Sequence, residues 1–144
     1  MKVYDPREIV LSIAGILISS GFAEDSMVKV TQTSKRFESV ASVDGEVTRV
    51  KLHDRRATVT VSLMQSSDGC DALSALLNRD TNSPNGAGVG AFELKDLNGN
   101  TELKGSHAWV TGLPETEFGK KVGSRQWEIE VADMDGVVGG AISV

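Results

Sequence analysis

A mainly β domain of antiparallel strands with one flanking α-helix, arranged as a sandwich or small barrel, is what the sequence predicts. Three observations predict it. Apolar and polar residues alternate with period two through several segments, the signature of strands buried on one face. Turn dipeptides that tolerate positive φ separate those segments, as tight hairpins require. Only one segment carries helical spacing of its apolar residues. At 144 residues the chain is long enough to bury roughly two-thirds of its unfolded surface in a single domain, residues 1–144. Apolar residues make up 40% and there are 15 glycines, a composition that excludes wholesale disorder and collagen-like or coiled-coil designs.

The apolar run at residues 9–18 is divided by Gly15 into two β-branched halves, which reads as strand, turn, strand. With Gly21-Phe22-Ala23 behind it, the run superficially resembles a signal peptide. Asp5 and Glu8 cancel Lys2 and Arg7, however, and the stretch is too short to span a membrane. Further strands are expected at residues 47–52, 57–65, 103–109 and 126–131, about eight in all, with Asp44-Gly45, Asn98-Gly99 and Asp135-Gly136 as turns. A helix over about 68–79 begins after Ser67 or Asp68 as N-cap and places Cys70, Leu73, Leu76 and Leu77 on one face. A breaker-rich loop of mobile or interfacial character covers about 78–90. The expected core comprises Val59, Val61, Leu63, Leu73, Trp127 and Ile129.

Charge and cysteine content narrow the function classes. Fifteen basic against 20 acidic residues give a net charge of -5, too acidic for a protein that grips nucleic acid with its whole surface. One cysteine, Cys70, forms no internal disulfide, and with two histidines it cannot complete a four-ligand zinc site. Its place on the helix stripe assigns it to packing more than to thiolate chemistry. Stability then comes from packing or assembly.

The motifs that invite chemistry are weak. His53-Asp54 and Ser106-His107 are adjacent pairs, and neighbours on a strand point to opposite faces, so neither assembles a dyad by itself. Gly86-Ala87-Gly88-Val89-Gly90 precedes a strand and lacks a following Lys-Ser/Thr, so it is not a phosphate loop. Asp96-Leu97-Asn98-Gly99-Asn100 mimics part of a calcium loop, but Thr101 stands where that loop needs glycine, and the twelfth position is His107. A hairpin turn fits it better. Arg49, Lys51, Arg55 and Arg56 form a basic strip without the interleaved aromatics of a single-strand binder, largely cancelled by Asp44, Glu46 and Asp54. No catalytic, cofactor or metal residues are assigned.

Longer stretches carry a resemblance. Ser34-Lys35-Arg36-Phe37, residues 43–49 (VDGEVTR) and residues 54–67 (DRRATVTVSLMQSS) are followed in order by residues 89–99 (VGAFELKDLNG) and 117–127 (EFGKKVGSRQW). Together with Tyr4-Asp5-Pro6 and Ser20-Gly21-Phe22-Ala23, their order and spacing resemble the tail tube proteins of long-tailed, contractile-tail bacteriophages over the whole chain. Glu24-Asp25 departs from the pattern, where a glycine-containing turn is expected.

The resemblance implies a non-enzymatic virion component, assembled in the host bacterial cytoplasm, with a fold like that of the type VI secretion tube protein. Hexameric rings would stack into a tube within a sheath. Its partners would be copies of itself, the sheath protein, baseplate and tail terminator proteins, and viral DNA passing through the lumen, with no cofactor and no direct membrane insertion. Ring closure would satisfy exposed strand edges that otherwise pair at random. The segment from Glu38 to Arg56 mixes both charge signs around a flexible turn, making Glu38, Asp44, Glu46, Arg49, Lys51, Arg55 and Arg56 the expected subunit or ring contacts. Three alternatives stand beside this: the tube of a related contractile injection or secretion machine, a carbohydrate-binding β-sandwich, and a small hydrolase using His53 or His107. The second lacks aromatic platforms if Trp109 and Trp127 are buried.

Overall fold

The computed structural model describes residues 5–23 and 27–140. Glu24-Asp25, where the family pattern departs, and Tyr4 lie outside the described residues. A short 3-10 turn at Pro6–Glu8, capped by the Asp5 side chain, leads into β1 (Ile9–Ile13). Then come β2 (Ile16–Ile18), β3 (Val28–Gln32), β4 (Phe37–Ala41), β5 (Val47–Lys51), β6 (Ala57–Met64), α1 (Asp68–Thr81), β7 (Gly90–Asp96), β8 (Glu102–Val110), β9 (Ser124–Val131) and β10 (Asp135–Val137). Eight strands form one antiparallel sheet in the order β2-β1-β7-β8-β9-β6-β3, with β10 beside β8; β4 and β5 form a separate two-stranded sheet.

The period-two alternation of β6 is realised in full: Ala57, Val59, Val61 and Leu63 are buried while Thr58, Thr60 and Ser62 face outward. Its partner β9 buries Trp127, Ile129 and Val131, with Val59 opposite Ile129 and Val61 opposite Trp127. Leu11, Ile13, Phe92, Leu94, Ala108 and Val110 join the same core from the other strands, and α1 adds Leu73 and Leu76. All six residues expected in the core are there. At roughly 1.5–3 kcal/mol for each fully buried large aliphatic or aromatic side chain, this single cluster is the principal source of stability.

Three local differences from the sequence reading have physical causes. First, α1 runs to Thr81, past Asn78. Its start is fixed by Ser67, whose Oγ accepts from Gly69 N at 3.2 Å, but the Asn and Thr at its far end only disfavour helix, and nothing forbids it before Pro84. The loop behind it is pinned by Gly88 N donating to the Asp80 carboxylate.

Second, Asp135-Gly136 does not reverse the chain. It lies in β10, which continues the direction of β9 along β8 after an irregular step at residues 132–134. Gly136 is needed for close approach: its φ is +147°, and a Cβ there would collide with the Glu102 carbonyl. Third, Trp109 is only partly shielded. It sits on the outward face opposite Glu130, so only Trp127 is a core tryptophan.

Candidate assembly interface

The β4-β5 hairpin extends the β3-β6 ribbon beyond the body of the protein. Gln32 pairs with Ala57, Thr33 N donates to Arg56 O, Leu52 N donates to Arg36 O at 2.9 Å, and the ladder resumes from Phe37 opposite Lys51 to Ala41 opposite Val47. Every residue of both strands is exposed, and none belongs to the core cluster. A lone two-stranded ribbon is marginal in water without a third strand or a packed face. This one nonetheless presents Val40, Val43 and Val47, each more than 60% exposed. Its turn is closed by Gly45 N donating to Ser42 O, with Gly45 at φ +92°. The Ser42 hydroxyl donates to Asp44 and holds that carboxyl below its ordinary range, helped by the Glu46 N–H.

The residues expected at a contact surface fall into two groups. Glu38, Asp44, Glu46, Arg49 and Lys51 lie on the hairpin, where Arg49 stacks over the Phe37 ring at 4.4 Å. Arg55 and Arg56 lie at its root, engaged within their own chain. Arg56 makes a two-pronged contact with Asp54 through Nε and Nη2, both at 2.9 Å, while Ser34 Oγ donates to the same carboxylate. These contacts, led by the Arg56 side chain, hold the Asp54 carboxyl far below the usual range. Arg55 and Arg36 both reach Asp135, at 3.9 and 3.8 Å, and Arg36 Nη2 donates to Met134 O. A cluster at the root therefore ties the arm to β10, while among the described residues no side chain of β4 or β5 joins the core cluster.

A second polar cluster corrects the sequence reading. Ser106 and His107, neighbours in β8, do meet: Ser106 Oγ lies 3.0 Å from His107 Nδ1. The reason is a bulge. Gly90 faces Ala108 and Phe92 faces Gly105, so two residues of β8 oppose the single Ala91 and the alternation fails locally. Asp133 satisfies the bulge, accepting from the backbone N–H of both Ser106 and His107, at 3.0 and 3.1 Å, and from the Ser106 hydroxyl. The hydroxyl bond chiefly lowers the Asp133 pKa. For nucleophilic catalysis the imidazole must stand between hydroxyl and carboxylate; here the serine does, with its proton directed to the acid. The trio is a bulge clamp. His53 fares no better as a base, because its neighbour Asp54 is committed to Arg56 and Ser34.

Among the described residues no group of three or more His, Cys, Asp or Glu side chains could hold a metal ion, and no helix is long and apolar enough to cross a membrane. Cys70 is half-buried against the core, its thiol 3.6 Å from Met64 O.

Among the described residues the core cluster includes no part of β4 or β5, and comparison with known proteins shows the family. A family model described as "Bacteriophage PhiTE tail tube protein" matches residues 8–139. The chain belongs to this phage tail tube family. A relative, "Structural protein ORF10" of Pseudomonas phage KPP10, is 28% identical over 137 residues, covering 92% of this chain and 79% of the relative.

Two solved structures share the fold. The tube-terminating cap of the anti-feeding prophage has a TM-score of 0.59 at 7% identity, covering 95% of this chain and 92% of its own. The sheath/tube terminator of an extracellular contractile injection system, PVC, in the extended state has a TM-score of 0.53 at 10% identity, covering 91% and 94%. At such identities the likeness establishes the fold alone. The tail tube family is thus a family of structural phage components, and the tail is where this chain belongs.

Sequence reasoning missed two features: the Asp133 clamp, whose partners are more than 25 residues apart, and the Arg36–Asp135–Arg55 tie. Neither leaves a local pattern. The irregular step at residues 132–134 is visible only once the pairing of β9 and β10 with β8 is known.

Proposed function

We propose that this chain is a tube subunit: six copies close into a ring, rings stack into a hollow conduit inside a contractile sheath, and the genome passes through without any reaction being catalysed. Family membership across residues 8–139 carries the reading. The unpartnered arm supports it, since a marginal ribbon with exposed valines gains a buried face only by meeting another subunit.

The outward face of β3, β6 and β9 is the surface best suited to line the lumen. It presents Lys29, Thr31, Thr58, Thr60, Ser62, Gln126, Glu128 and Glu130, with Lys29 the one cation within these strands and Arg56 beside Glu130 at the margin. Hydroxyls and carboxylates offer DNA phosphates little to hold, and six copies would carry a formal charge of about -30. Weak adhesion suits a conduit.

A second reading is favoured by the fold neighbours, both of which are terminators or caps: this chain would close the end of a tube. Gold-labelled antibody on intact tails separates the two. Label along the whole tail supports a tube subunit, whereas label confined to one end, at about one ring per particle, supports a terminator. Electron microscopy of the purified protein is the companion test. Hollow rods of stacked rings are expected from the native chain, and fewer and shorter rods from Arg49→Glu. Arg49 is the better target than Arg55, whose reversal would also disturb Asp135.

A further inference from the structure

The β3-β6 ribbon ends in two exposed patches of opposite character. At the Ala57 end the arm carries Val40, Val43 and Val47 around Asp44 and Glu46, and residues 40–47 contain no cation. At the Met64 end the β8-β9 loop is attached to the ribbon by Gln65 N donating to Gly123 O and by Gly123 N donating to the Gln65 side chain. That loop exposes Leu113, Phe118 and Val122, each more than 60% exposed. Within the loop Glu115 and Glu117 precede Phe118, while residues 118–123 carry Lys120 and Lys121 and no acid.

Arg125 gives the loop its shape. It is 7% exposed, has no carboxylate partner among the described residues, and donates to Glu117 O and Ser124 O at 3.0 Å while its guanidinium lies 5.3 Å from the Phe118 ring. A buried cation held by carbonyls keeps the phenyl ring at the surface beside Lys120 and Lys121.

We propose that the loop at residues 113–123 is the docking site for the arm of a second copy: the valines of the arm pack on Phe118, Val122 and Leu113, and Asp44 and Glu46 face Lys120 and Lys121. The inference rests on the tube reading and names the acceptor that reading leaves open. Two arguments select a second copy as the occupant. Exposed apolar side chains stand on both patches, and the acidic tip at residues 44–46 complements the basic stretch at residues 118–123. The patches also lie at opposite ends of one ribbon, about 26 Å apart along the eight residues of β6 alone. An arm attached at one end cannot fold back on the other, and a head-to-tail contact between unlike surfaces propagates as a stack instead of closing on itself.

The test is a charge exchange read by sedimentation and electron microscopy at low salt. Asp44→Lys/Glu46→Lys and Lys120→Glu/Lys121→Glu should each cut rod formation at least tenfold. An equimolar mixture of the two variants should restore rods, because every junction then pairs unlike charges. Circular dichroism of each variant confirms folding. If native rods form and both variants polymerise like the native chain, or the mixture fails to recover, the docking pair is wrong while the tube reading stands. If the folded native chain stays monomeric at every concentration and is absent from tail particles, the tube reading and the docking pair fall together.

Discussion

At the scale of single residues, strain and titration are where this chain departs most from an idealised sheet. Ala14, in the turn between β1 and β2, sits at φ +49°, followed by Gly15 at +85°. Two consecutive positive φ values define the hairpin turn whose preferred sequence is Asn-Gly, and an alanine there costs roughly 1 kcal/mol. Ala14→Asn should therefore raise stability by about 0.5–1 kcal/mol, read as an increased midpoint in chemical denaturation; no increase would mean that the packing of the alanine methyl group against the core and Gly90 outweighs the gain in the turn.

Asp54 yields a pH prediction. An unfolded aspartate titrates near ~3.9, and the folded carboxyl, held by Arg56 and Ser34, titrates well below that. Between those values the folded state binds fewer protons, so the contribution of Asp54 is complete above about pH 4 and lost as pH falls further. Because the group is partly open to solvent, screening keeps the energetic effect small. Carbon-13 titration of the carboxyl should show the depressed midpoint, and Asp54→Asn or Arg56→Gln should remove the corresponding part of the acid-side decline.

At the scale of elements, β8 shows how far pattern reading goes. Its sequence, Leu103 to Trp109, alternates well enough to mark a strand, and the strand is there. What the pattern could not convey is that alternation breaks at Ser106-His107, because a bulge depends on the partner strand and not on the residues that form it. Asp135-Gly136 failed for the same reason: the dipeptide permits a turn, but pairing with β8 decides between turn and strand. The β6 and β9 cores were legible because burial on one face writes itself into every second residue. The charged residues of the segment 38–56 stand out in the sequence, but which lie on the hairpin and which are tied at its root is set by contacts as distant as Arg36 to Asp135.

Gly105 was also silent in the sequence. Its missing side chain makes room for Val131, with which a Cβ would collide. Gly105→Ala should cost about 1–3 kcal/mol through overpacking. Adding Val131→Ala should bring the double variant to less than the sum of the single losses, measured by a double-mutant denaturation cycle; additive losses would show that the clash is relieved elsewhere.

At the scale of the whole molecule, the separation between what folds and what assembles can be tested in one chain. The core cluster and the residues packed against it draw on seven strands and α1 but on no residue of β4 or β5, so the arm contributes little to the stability of the body. Its ends are already joined across the ribbon, with Leu52 N and Arg36 O 2.9 Å apart, so residues 37–51 can be replaced by an Asn-Gly turn without moving the strands on either side. The root contacts of Arg36, Arg55 and Asp135 are retained in that variant. The shortened chain should fold with a melting temperature within about 4 °C of the native value, equivalent to roughly 1 kcal/mol, and should form no rods under conditions where the native protein does. A large loss of stability would mean that the arm is braced by the body after all. Normal rods from the shortened chain would move the stacking contact off the arm and onto the sheet edges β2, β3 and β10, each of which pairs with a single strand among the described residues.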